Sequence, residues 1–201
     1  MDSSIKFVFS IVAILLTFAA FFPYIRSILR GTTKPHLFSW VIWGTTTLIV
    51  FFAQLKAKGG MGAWPIGISG TITTYIALLA FLKSSQISIT RTDWLFFIAA
   101  LSSLPFWYFT SNPFWAVLLL TLVDLLGFGP TIRKAYACPH EENIPFFFLF
   151  LGRNLFALLA LEQYSLTTVL FPLSVSGACF FLLVLVYYRR KVIAVEVIKN
   201  P

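Results

Sequence analysis

The 201-residue chain is 59% hydrophobic and 18% aromatic, and only 11% of it is charged. Repeated apolar runs close to the roughly 20 residues that cross a bilayer exclude a soluble domain and predict a membrane protein. The formal charge of +8 would suggest nucleic acid in a soluble protein, but the basic residues sit at the ends of apolar runs, which removes that partner.

Seven apolar spans are predicted in chain order: 5–29, 38–56, 60–83, 92–110, 113–137, 145–162 and 166–189. The start, "MDSSIKFVFSIVAILLTFAA", has the length and the lysine of a cleavable signal. It runs on, however, into "AAFFPYIRSILRG", 19–31, and is read as a retained first helix. The separators are turn-rich or polar: "RGTTKPH", "KAKGG", "KSSQISITRTD", "TSNP", "CPHEEN" and "EQYS". Pro65, Pro105 and Pro172 fall inside spans, where neighbouring helices or water can satisfy the freed carbonyl. Cys138 in a loop and Cys179 in the last span give no disulfide framework. "CPHEE", 138–142, lacks the second half of a metal site and reads as a solvated loop.

Lysine and arginine orient the spans. With the N-terminus outside, one side holds Arg26, Arg30, Lys34, Lys83, Arg91, Arg133, Lys134, Arg189, Arg190, Lys191 and Lys199, eleven in all. The other holds three, Lys6, Lys56 and Lys58. The expected topology is N-out, C-in. Arg153 is left over, within a span.

The chain also repeats itself. A gapless shift of 107 residues lays Phe21, Pro23, Ile25 and Arg26 on Phe128, Pro130, Ile132 and Arg133. The same shift lays Pro65, Ser69 and Gly70 on Pro172, Ser176 and Gly177. Apolar composition does not place prolines, so the match marks two copies of a three-helix unit. An odd triple followed directly by another would be inverted; the fourth span restores the direction, and the copies run parallel. The expected division is 1–83 for the first triple-helix bundle, 84–111 for the linker helix, and 112–201 for the second bundle with its short basic tail. Proline also clashes with the carbonyl four residues earlier, here Ala19 and Leu126, which leaves a bend at each Pro23 and Pro130.

This 3+1+3 layout, with a proline near the inner end of each first helix and a basic loop after it, resembles the PQ-loop and SWEET superfamily of membrane transporters. "KPHLFSWVIWG", 34–44, has the family's serine and its aromatic second helix. The family's glutamine after the proline is replaced by Tyr24 and Thr131, so the resemblance is to a divergent member. The Pnu-type vitamin transporters, with tryptophans around their substrate, are a near neighbour. The resemblance implies two bundles around a central path, alternating access with Pro23 and Pro130 as hinges, and a polar side chain offered to substrate from each third helix near Ser69 and Ser176.

The interior carries its own signal. Asp124 lies near the middle of the fifth span, and Arg153 with Asn154 near the middle of the sixth. An ionisable group at that depth costs roughly 2.5–3.5 kcal/mol, so it faces a partner or a wet cavity. Shifted back by 107, these positions fall on Thr17, Thr46 and Thr47, also polar and also central. On the second span Trp40, Trp43, Thr47 and Gln54 share one helical face, which suits a small polar ligand with an apolar ring or stem. Two readings stay open for Asp124 and Arg153: an ion pair pinning two helices, or groups that bind a proton and a substrate carboxylate or phosphate.

The expected function is transport of a small polar solute such as a sugar, amino acid or vitamin, by facilitation or proton coupling, through a midplane site between the bundles. The candidate binding residues are Asp124, Arg153, Asn154, Thr17, Thr46, Thr47, Trp43, Gln54, Ser69 and Ser176. The alternative is a non-transporting receptor or assembly factor on the same scaffold, against which the short C-terminal tail argues. No HExxH, GxSxG or paired carboxylates occur and no histidine lies in a span, so neither an enzyme nor a cofactor or metal is expected. The expected location is a plasma (inner) membrane, with lipid, solute and protons as partners and the oligomeric state open.

Overall fold

In hydrocarbon a backbone must satisfy its own N–H and C=O groups, and a helix does so within one segment. The computed structural model describes residues 2–31, 37–83, 91–137 and 139–199, and these are almost wholly helical with no strand among them. The helices are α1 (Ser3–Leu29), α2 (Leu37–Lys56), α3 (Trp64–Lys83), α4 (Arg91–Thr110), α5 (Pro113–Ala137), α6 (Ile144–Leu159) and α7 (Leu166–Lys199). Among the described residues three stretches are long and apolar enough to cross a membrane: Ser3–Leu29, Gly60–Lys83 and Leu166–Ile193. Shorter apolar stretches lie at Phe97–Thr110, Pro113–Phe128 and Ile144–Leu159. Many large apolar side chains face outward, among them Phe22, Leu82, Leu126 and Phe180, a surface suited to lipid rather than water.

The largest difference from the expected boundaries is at the C-terminal helix. α7 continues ten residues past the expected end at 189, to Lys199, because "RKVIAVEVIK" holds no glycine or proline to stop a helix. Pro65 lies inside the stretch Gly60–Lys83, as expected, and is there the second residue of α3, so its missing N–H falls where no helical partner exists. A 3-10 turn, Gly60–Ala63, precedes it. Pro23, Pro105 and Pro172 lie inside α1, α4 and α7. Position 130 falls within α5, with its side chain outside the described residues.

The helices pack in a closed ring with α4 outside it. α3 lies between α1 and α2, and α7 lies between α5 and α6. The ring closes where α1 meets α6 and α2 meets α5, while α4 packs on α5 and α2. Exchanging α1 with α5, α2 with α6 and α3 with α7 turns each ring contact into another one. The weaker crossings, α2 with α7 and α3 with α6, also exchange.

Hydrogen bonds fix the directions. Lys83 Nζ at the end of α3 donates to Leu29 O (2.8 Å) at the end of α1, so α1 and α3 run the same way. Arg189 Nε donates to Tyr136 O (3.0 Å), which sets α7 alongside α5 in the same sense. Lys6 Nζ near the start of α1 donates to Glu162 O (3.3 Å) just before α7, so the two pairs share one direction. At this end Met61 N–H donates to Glu162 Oε1 (3.2 Å), and Gln54 Nε2 donates to Thr168 O (2.8 Å). A Cβ on Gly62 would stand 2.6 Å from Leu161 N and 2.7 Å from Ala157 O, so only glycine lets the turn seat against α6.

Candidate functional site

α6 starts sharply because Asn143 Oδ1 accepts the Phe146 N–H (3.1 Å) and Pro145 occupies the first turn. From there Phe146, Phe150, Arg153 and Ala157 recur at helical spacing. Arg153 is 1% exposed and Asn154 is fully buried. A guanidinium so placed needs its surroundings arranged, and they are. The Phe150 ring lies 4.7 Å beneath it, itself stacked on Phe146 at 5.0 Å and met edge-on by Phe21 of α1 at 5.5 Å. Arg153 Nη1 donates to Ser69 Oγ of α3 (3.2 Å). One edge remains, since Arg153 Nε and Nη2 have no partner among the described residues.

Asp124 of α5 and Cys179 of α7 lie within electrostatic reach of Arg153. No hydrogen bond joins Asp124 to the guanidinium, whose one bonded nitrogen goes to Ser69. The two charges are coupled through space rather than by a hydrogen bond. Buried oxygens without a partner among the described residues include Asn154 Oδ1, whose Nδ2 donates to Phe150 O (2.8 Å), and Ser176 Oγ.

The other candidates divide. Thr17 and Thr46 are buried, but each hydroxyl donates within its own helix, to Ala13 O (2.8 Å) and Trp43 O (3.0 Å). Their lone pairs remain the groups they can offer a ligand. Thr47 is also buried. Gln54 serves the α2–α7 junction, with its Oε1 unpartnered. Trp43 is 37% exposed, set edge-on to Trp40 at 5.4 Å and facing Gly127 of α5, so it stands at the α2–α5 seam. The structure thus bonds Arg153 to Ser69, leaves Asp124 within electrostatic reach of the guanidinium, and sets Trp43 and Gln54 in other contacts. The residue that sequence reading missed is Phe150. Its signal was available, for the 107-residue shift lays Trp43 on Phe150 and keeps an aromatic ring in both copies.

No three His, Cys, Asp or Glu side chains gather as metal ligands among the described residues. Comparison with known proteins returned no match, whether to a family model, a curated protein or a solved structure.

Proposed function

We propose that the chain is a seven-span, N-out and C-in membrane transporter of a small polar solute, a divergent relative of the PQ-loop and SWEET transporters. Its two triple-helix bundles, α1–α3 and α5–α7, surround a midplane site, and α4 is the linker that keeps them parallel. The observation that carries this reading is the Arg153 guanidinium. It is buried where helices of both halves meet, held by Phe150 and Ser69, and left with an unpartnered edge. A purely structural arginine at such depth would be expected to spend its donors on neighbours.

Two features support the transporter layout. The helix contacts survive exchange of the halves, and α1, α3, α5 and α7 share one direction. Alternating access fits the position of Pro23, about two turns from the end of α1, where the freed Ala19 carbonyl lets the inner segment swing. Asp124, within the field of Arg153, is the group that would carry a proton or complement a cationic part of the solute.

The test is solute flux into liposomes that contain only this protein. Uptake of at least one polar solute above protein-free liposomes is the expected result. A correctly inserted protein that moves no sugar, amino acid, vitamin or nucleoside, and is stabilised by none, would overturn the transport reading in favour of a receptor.

A further inference from the structure

We infer that the site takes a small solute bearing one carboxylate, held on the Nε–Nη2 edge of Arg153, with a hydrogen-bond donor as its second polar group. This rests on the transport reading above. The guanidinium is fixed on two sides, by the Phe150 ring at 4.7 Å under its face and by Ser69 Oγ at 3.2 Å from Nη1. The two nitrogens without a partner, Nε and Nη2, are those whose N–H bonds point side by side from one edge. That fork matches the two oxygens of a carboxylate, whereas a hydroxyl of a neutral sugar can meet it with only one oxygen. The edge is also pre-organised, so little side-chain freedom remains to be lost when an oxyanion docks.

The neighbours narrow the class further. Asp124 lies within the same field, so a second negative charge, as on phosphate or a dicarboxylate, would be opposed. Asn154 Oδ1 is an acceptor with no donor among the described residues, and the Asp124 carboxylate accepts as well. A solute whose amine or hydroxyl stands beside its carboxylate supplies both halves of that pattern. Amino acids and 2-hydroxy acids fit; polyols, nucleosides and phosphates do not.

The experiment is a flux comparison in proteoliposomes against protein-free liposomes. The probes are small 2-amino and 2-hydroxy acids, each beside its own carboxamide, with glucose and inorganic phosphate alongside. We expect at least one acid to move, and to move or compete at least about tenfold better than its carboxamide, since the charge-assisted bidentate contact is lost in the amide. In Arg153→Lys, which keeps the charge and loses the fork, that preference should fall about tenfold. Should this variant fail to insert, the comparison of acid and carboxamide in the wild-type protein decides alone. Equal handling of acid and carboxamide, or movement of glucose or phosphate in place of the acids, would overturn the carboxylate assignment and leave transport standing. Movement of no solute of any class would overturn both.

Discussion

Arg153 is the residue on which the proposed chemistry turns, and its energetics follow from how little of it is paired. Its charge and that of Asp124 interact through space without a hydrogen bond between them. Replacing Arg153 by Gln alone leaves the Asp124 charge unbalanced at low dielectric. The expected loss is about 3 kcal/mol, the low end of the range for breaking a buried pair, because the two are not in direct contact. Asp124→Asn combined with Arg153→Gln should recover most of that stability in a thermal unfolding measurement and still fail to transport. Full transport by the stable double variant would reduce both charges to structural roles. Sequence reading found the two charged residues because ionisable groups stand out in an apolar run. It could not assign Ser69 as the partner of Arg153, since that depends on how α3 and α6 are rotated about their axes. Phe150 was hidden in "PFFFLFLGRN", where aromatic residues are too dense for one to be distinguished.

Glycine and proline set the geometry of the elements, and each makes a separate prediction. Gly62→Ala would drive a Cβ into the Leu161 and Ala157 backbone, which has no flexible end to yield. It should lower stability by about 1–3 kcal/mol. Gly177→Ala, with nothing within 4 Å of the added atom, should leave stability unchanged or slightly raised. Equal melting temperatures for the two variants would contradict the close seating of the 3-10 turn on α6. Pro23→Ala restores the N–H that α1 lacks, so the helix should stiffen. The variant should fold and insert normally while exchanging more slowly between inward- and outward-open forms; transport at the wild-type rate would make Pro23 a packing kink. Element positions were legible in the sequence because apolar runs and turn signals alternate cleanly. The end of α7 was not, since hydropathy reports where a helix leaves lipid rather than where its hydrogen bonds stop.

Across the whole molecule, the chain order and the ring order differ, and the difference is informative. α3 inserts between α1 and α2, and α7 between α5 and α6, and these sets meet through α1 with α6 and α2 with α5. Repeated prolines in register are the ground for proposing two halves; which faces the helices present to each other depends on side-chain fit that no repeat encodes. In the proposed layout two like-directed triples and one linker cross the bilayer an odd number of times, enclosing Arg153 at mid-depth. Single cysteines at Ser3 and Lys199, in a background without Cys138 and Cys179, test this with a membrane-impermeant thiol reagent. Ser3→Cys should label from the outside of intact cells, and Lys199→Cys only after the membrane is opened. Labelling of both from the same side would mean an even number of crossings and would contradict the account.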